Sequence, residues 1–334
     1  MHRVLVTGAS GFIGSHVLNL LSNTGGYSAA GLVRETSDLF RIEEGCKLVR
    51  GSLEDDLEPL LRGYDSVVHT AGLATDWGHH EDFIRTNVEG TERVLRGSIS
   101  AGVKRFLHIS STVVYGFGKG SGVEESAGFD PFPQSYCISK SEAEKRIAPF
   151  KEDVSLFILR PSNVFGPLDL RFTYQLLQAL ERNTFAFPSG GRTVTSPCYV
   201  LNLADAVKRC LESRLGGGTY NISDGADLPW RDFLSLAAGS MGRGCRILPV
   251  PSGPLFGVSK IVEKIYTLAG SKRAPLITPY RIAQARGDYG FSTEAAARDL
   301  GYDPPYTTAE GMRASVTWYR AIRERINKGK HDIL

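Results

Sequence analysis

Long apolar runs are missing from this sequence. No stretch of about 18 consecutive apolar residues occurs, so no segment is expected to span a membrane. Cysteine is sparse. The five residues, at 46, 137, 198, 210 and 245, form no CxxC pair, and an odd number cannot all pair with one another. Free thiols in a reducing compartment are the natural reading, and a cytoplasmic protein is expected. Charge of one sign is not in excess either. Lys+Arg 39 against Asp+Glu 36 leaves +3, which gives no reason to expect nucleic acid as a partner. Met1, His2 and Arg3 lead straight into an apolar strand, without the long apolar stretch of a signal peptide. Repeats and low-complexity tracts are absent. What is present is length enough for one large or two smaller domains (334 residues), and 37 glycines whose positions carry information.

In the first half, short apolar runs alternate with amphipathic stretches. Residues 4–6, 29–33, 47–49, 66–69, 105–110 and 155–159 read as strands buried on both faces. Residues 12–21, 81–101 and 135–149 carry apolar side chains at helical spacing. This alternation predicts an α/β fold, a doubly wound parallel Rossmann sheet. After Pro167 it breaks down, although residues 219–222, preceded by a helix near 203–213, read as one more strand. The expected division is a dinucleotide-binding domain of residues 1–167 and 196–224, and a smaller, mixed substrate-binding domain of 168–195 and 225–334. The amphipathic stretch 256–268, with Lys260, Glu263 and Lys264, reads as a helix covering a substrate pocket in preference to one lying on a membrane surface.

Three glycines stand at a spacing of three directly after the first strand and at the start of a helix: Gly8, Gly11 and Gly14. In that setting the first permits a tight turn, the second lets the backbone approach a pyrophosphate, and the third lets helix and strand pack closely. The free N–H groups at the helix start then hold the anion. At the end of the second strand Val33 stands where an acid would select NAD, and Arg34 follows it. An Arg there can take a 2′-phosphate, so NADP(H) is expected over NAD(H), with Glu35 as a complication. Tyr136 and Lys140 stand four apart in a good helix sequence and share a face. A fixed ammonium beside a phenol favours the phenolate, which suits proton exchange with a substrate oxygen. Tyr115 and Lys119 have the same spacing, but two glycines between them argue against a helix. The strand 105–110 ends in Ser110-Ser111, at the sheet edge where open α/β folds bind ligands.

Together these residues resemble the extended short-chain dehydrogenase/reductase family, of the NAD-dependent epimerase/dehydratase superfamily. The motifs are Thr7-Gly8-x-x-Gly11-Phe12-Ile13-Gly14, His69-Thr70-Ala71-Gly72, Asn87-Val-Glu-Gly-Thr91, Ser110-Ser111-x-x-Val114-Tyr115-Gly116, Tyr136-x-x-x-Lys140 and Leu159-Arg160-Pro161-Ser162-Asn163, continuing to Pro167. The resemblance implies that Ser111 fixes the substrate oxygen and Tyr136 is the acid/base. It implies that Lys140 lowers the pKa of Tyr136 and binds the nicotinamide ribose, and that Asn87 shapes the helix behind the site and holds a relay water. The cofactor is expected on Gly8, Ser10, Gly11, Phe12, Ile13, Gly14, Arg34, Ser52, Leu53, Thr70, Ala71, Gly72, Lys140, Pro161, Ser162 and Asn163. One departure stands out: Gly51-Ser52-Leu53 replaces the family's Gly-Asp-Leu, so Ser52 or Asp55 has to serve the adenine.

The resemblance is nearest the branch of 3β-hydroxysteroid dehydrogenases, dihydroflavonol reductases and β-keto reductases. It implies hydride transfer between NADP(H) and a secondary alcohol or ketone of moderately apolar character. Dehydration is disfavoured, because Thr112-Val113 replaces the Asp-Glu pair that elimination uses. A nucleotide-sugar 4-epimerase is the first alternative. Ser196-Pro197 and Asn202 stand where that branch carries diphosphate-binding and acidic residues, though Arg192 is able to compensate. A non-catalytic dinucleotide-binding sensor or scaffold is the second alternative. The resemblance also implies a homodimer through 81–101 and 135–149. No metal is expected: His79-His80-Glu81-Asp82 lacks ligand spacing. Cys137 reads as a packed helix residue.

Overall fold

The computed structural model describes residues 1–182, 184–271 and 273–327. Seven parallel strands form its centre: β1 (His2–Thr7), β2 (Tyr27–Val33), β3 (Lys47–Arg50), β4 (Ser66–His69), β5 (Arg105–Ile109), β6 (Ser155–Pro161) and β7 (Gly217–Ile222). Their spatial order is β7-β6-β5-β4-β1-β2-β3. The chain runs outward from β1 to β3 and then returns to β4 on the other side of β1. That reversal leaves a crevice at the carboxyl ends of β1 and β4.

Strand residues alternate between two cores, which is why the strands read as unbroken apolar runs. Val4, Val6, Val68, Leu107 and Leu159 pack on one face, with Val17 and Leu21 of α1 (Phe12–Asn23) and with Leu203 and Val207 of the helix Val200–Glu212. Leu5, Val67, Phe106 and Ile158 pack on the other, with Val94 and Leu95 of the helix Gly90–Ser100 and Ile147 of α2 (Ser135–Ile147). Each fully buried Val, Leu, Ile or Phe contributes about 1.5–3 kcal/mol. The helix Val200–Glu212 ends where Arg105 of β5 takes up its last carbonyls, donating to Cys210 at 2.9 Å and to Ser213 at 2.8 Å.

The stretch 81–101 is not one regular helix. It runs as His80–Phe83, a π-helical segment Ile84–Glu89 and then Gly90–Ser100. The wider turn follows from Asn87, whose side chain is turned to the segment after β4. Beyond β6 a third core gathers Phe165, Leu177, Trp230, Phe233, Met312 and Val316 under helices Thr173–Leu180, Trp230–Ser240 and Thr308–Asn327. A four-stranded sheet of short pieces, Leu228–Pro229, Val194–Thr195, Tyr289–Phe291 and Gly120–Val123, joins the two parts. No described helix is long and apolar enough to cross a membrane.

Candidate active site

The glycine loop lies in the crevice between β1 and β4. Gly8 has φ +67°, and a Cβ there would stand 2.6 Å from the Ala71 backbone. A Cβ on Gly14 would stand 2.3 Å from the Gly8 carbonyl oxygen. The glycines therefore let the loop close on itself and on the end of β4, where the Thr70 hydroxyl donates to the Thr7 carbonyl at 2.7 Å. Gly11 is the N-cap of α1; it offers no side-chain acceptor, and no acid stands in the first turn. Phe12 and Ile13 pack into the core, so their contribution toward a ligand is the backbone N–H. A helix start with free donors and no competing carboxylate fits a pyrophosphate.

At the far end of the crevice, β2 stops at Val33 and Arg34 is exposed. The register places Val33 opposite Arg50, and the Arg50 guanidinium donates to the Arg34 carbonyl at 3.1 Å. Two cationic side chains therefore stand at neighbouring strand tips. Ser37 is beside them, its hydroxyl accepting from the Arg34 N–H at 3.0 Å. Arg50 was not among the expected contacts; only strand register brings it there. Of the two substitutes for the family's Asp, the Asp55 carboxylate is engaged with the Ser52 N–H at 2.7 Å. Leu53 is half-buried against the Gly90 helix.

Gln134 starts α2: its side-chain oxygen accepts from the N–H groups of Tyr136 at 2.8 Å and Cys137 at 3.4 Å. That cap starts the helix that brings the Tyr136 phenol beside the Ser111 hydroxyl. Ser111 is held at the start of a 3-10 turn, Thr112–Tyr115, just past β5. One turn on, Lys140 is buried, and its ammonium donates to the Ile109 carbonyl at 2.8 Å. Burial pulls Lys140 down to about 8, partly opposed by Glu144. Burial also pushes the Tyr136 phenol up to about 12, opposed only by the Ser111 hydrogen bond. The ammonium is turned to a strand carbonyl.

Asn87 is fully engaged. It accepts from the Leu73 N–H at 2.7 Å and donates to the Leu73 carbonyl at 3.0 Å and to the Ser139 hydroxyl at 2.9 Å. It clamps the segment after Gly72 onto α2. A Cβ on Gly72 would come within 3.0 Å of that same amide oxygen. Behind it, Thr91 donates to the Asn87 carbonyl at 2.6 Å and meets His69 Nε2 at 3.0 Å, while His69 Nδ1 meets the Thr7 hydroxyl at 2.8 Å. Buried His69 is lowered to about 3, which makes it a neutral spacer between β1, β4 and the π-helical segment.

Tyr115 does not reach the site. Its hydroxyl donates to Asn221 at 2.8 Å and accepts from Arg160 at 2.5 Å. Arg160 forms a buried bidentate pair with Glu144 of α2, at 2.6 Å and 3.0 Å, and the Ser110 hydroxyl also donates to Glu144. On the substrate side, Ser162 is bound to the Ile222 carbonyl through its N–H at 3.0 Å, and the Pro161 carbonyl accepts from Thr112 at 3.4 Å. Asn163 donates to Thr195 at 2.6 Å and accepts from Gln284 at 2.8 Å. An aromatic cluster lies near Tyr136: Phe117 packs on Phe132, Tyr280 and Tyr289. Arg281 lies on this side too, paired at 2.8 Å with the buried Asp76 carboxylate, which also accepts from Thr278 at 2.7 Å. Arg192 is exposed, and its guanidinium donates to the Ser189 carbonyl at 3.2 Å. Among the described residues no group of three or more His, Cys, Asp or Glu is placed to hold a metal.

Residues 4–223 match the family model for the NAD dependent epimerase/dehydratase family. A Stigmatella aurantiaca protein, 4-hydroxy-2-methyl-3-oxo-4-farnesyl-3,4-dihydroquinoline-1-oxide ketoreductase, is 29% identical over 93% of this chain and 95% of its own. UDP-glucose 4-epimerase of Vibrio cholerae is 28% identical over 96% of this chain and 97% of its own. The solved structure of MoeE5 in complex with UDP-glucuronic acid and NAD superimposes with a TM-score of 0.75 at 24% identity, covering 96% of this chain and 99% of that one. The last likeness shows the fold. The first two are too even for identity to choose between reduction and epimerisation, so the choice rests on the pocket.

Proposed function

The chain belongs to the NAD dependent epimerase/dehydratase family, is an NAD(P)-dependent oxidoreductase of it, and we propose that it interconverts a moderately apolar ketone and the secondary alcohol with NADP(H). The observation that carries this reading is the nearness of the Ser111 hydroxyl to the Tyr136 phenol beside an aromatic cluster, with Arg281 already paired to Asp76. A nucleotide diphosphate asks for free guanidinium forks at hydrogen-bonding distance. The dihydroquinoline ketoreductase named above acts on a carbonyl of an apolar compound, in keeping with this choice.

The bound cofactor supplies the hydride. The protein's part is to hold the carbonyl oxygen between Ser111 and Tyr136 and to protonate it from the phenol as negative charge develops. A phenol near 12 is protonated at neutral pH and is ready as an acid for reduction. Lys140, near 8, keeps a positive charge one helical turn from the phenol at neutral pH, and its proposed second role is to bind the nicotinamide ribose. The first test is a panel of ketones, secondary alcohols and sugar nucleotides read by NADPH absorbance. Turnover on apolar ketones is expected. Turnover confined to sugar nucleotides would move the assignment to epimerisation.

Arg34 and Arg50 support NADP(H) over NAD(H), since two guanidinium groups stand at the tips of β2 and β3 and Val33 is not an acid. Charge-assisted hydrogen bonds are worth about 1.5–3 kcal/mol, so Arg34→Ser should lower kcat/KM with NADPH by about 10- to 100-fold. With NADH it should change little. Initial rates with both cofactors check this; equal losses with the two would remove Arg34 from 2′-phosphate recognition.

A further inference from the structure

Two helices close the substrate side. In the first, α3 (Ser252–Leu268), Ser259 is buried and Phe256 and Glu263 are half-buried on the face turned to the protein. Arg286 of the second, α4 (Pro279–Arg286), lies 4.3 Å over the Phe256 ring. Trp77 meets Tyr266 edge-on at 6.4 Å and donates to the Ser271 carbonyl at 2.8 Å. That face packs against the rest of the protein.

Among the described residues, none covers the opposite face. Val258, Ile261, Ile265 and Leu268 recur three, seven and ten residues along one side of α3, and they are exposed by 49%, 63%, 57% and 78%. Leu276 in the following segment is exposed by 87%. A contiguous apolar stripe of this kind on a surface helix marks a contact. Its charged neighbours are of one sign. Lys260, whose ammonium lies 4.8 Å over the Phe256 ring, and Lys264 are exposed on the same helix and Arg273 shortly after it, whereas the acid within the helix, Glu263, belongs to the inward face. Pairing α3 with its own copy would bring Lys260 and Lys264 together with no carboxylate between them. An anionic surface offers both the apolar layer and the counter-charge.

We propose that α3 docks this protein on an anionic lipid bilayer, lying in the interface plane with Val258, Ile261, Ile265 and Leu268 among the acyl chains and Lys260, Lys264 and Arg273 at the headgroup phosphates. The docking rests on the helix alone and stands or falls independently of the redox reading. If both hold, the pocket-covering helix rests on the phase that dissolves an apolar ketone.

The experiment is co-sedimentation of the full chain with vesicles of phosphatidylcholine alone and of phosphatidylcholine with an equal share of phosphatidylserine. Binding to the phosphatidylserine vesicles is expected, and it should weaken in raised salt. Ile261→Glu/Ile265→Glu should lower partitioning by about tenfold or more, since burying a carboxylate replaces burying an apolar side chain. Lys260→Glu/Lys264→Glu should abolish the preference for phosphatidylserine. These side chains are exposed, so both variants should keep the wild-type thermal midpoint, which checks that they fold. Wild type left in the supernatant with both vesicles would overturn the proposal, as would undiminished binding of the Ile261→Glu/Ile265→Glu variant. Light scattering that shows those substitutions dissociating an oligomer would give the stripe to a second copy instead.

Discussion

Tyr136→Phe should lower kcat by about 10²- to 10⁴-fold and leave the dissociation constant for NADPH within about twofold of wild type. The ring stays, so the packing of α2 against the pocket floor stays, and the Gln134 cap of α2 uses the backbone N–H and not the phenol. What disappears is the proton donor and its hydrogen bond with Ser111. A loss confined to kcat would separate a proton-transfer role from cofactor binding. Near-normal turnover would overturn the assignment of the acid, and Ser111 would be left without a partner for the reacting oxygen.

The same site predicts a pH profile. With the phenol near 12, Tyr136 is the acid form throughout the ordinary range and sets no break in the rate of ketone reduction. Lys140, near 8, does change charge there. Its ammonium is present below that value and is lost as pH rises through it, and with it goes the positive charge behind the phenolate formed on proton transfer. The rate of reduction should therefore be flat on the acid side and fall as pH passes about 8. Steady-state rates at saturating NADPH, taken from about pH 6 to about pH 10, check this. An unbroken profile would mean that the Lys140 charge does not act on the reaction.

Much of the architecture was legible because burial on both faces of a parallel sheet writes itself into the sequence as apolar runs, as at Val67-Val68 and Phe106-Leu107. The glycine loop was legible because backbone closure, not a side chain, makes the site: nothing but glycine leaves room at Gly8 and Gly14 for the end of β4 and the loop's own carbonyl. Tyr136 and Lys140 were legible because one helix carries both. The features that stayed hidden depend on partners that only folding supplies. The π-helical segment exists because Asn87 binds Leu73, 14 residues away. Arg50 reaches Arg34 through strand register, and Asp76 neutralises Arg281 across 205 residues.

Arg160→Leu should cost about 3–5 kcal/mol of unfolding free energy, the largest stability loss expected for a single substitution away from the glycine loop. Arg160 and Glu144 are both buried, and the guanidinium grips the carboxylate bidentately while also serving Tyr115. Removing Arg160 leaves the Glu144 carboxylate buried with the Ser110 hydroxyl and with Lys140, one turn earlier on α2, as its remaining partners. The sign of the pH dependence follows. A buried carboxylate without its guanidinium has its pKa raised above the unfolded value, so the folded variant holds a proton that the unfolded chain has released. Its deficit should be full above that raised pKa and shrink as pH falls toward the ordinary carboxylate range. Urea denaturation at several pH values reads both effects. Adding Glu144→Met removes the stranded charge and should recover more than half of the loss, because the penalty belongs to the unpaired ion and not to the missing pair. A single variant within about 1 kcal/mol of wild type, or a double variant no better than the single, would show that the Ser110 and Lys140 neighbourhood compensates the carboxylate unaided. The ion pair would then be dispensable behind the site, and the position of Ser111 would have to be credited to its own turn at the end of β5.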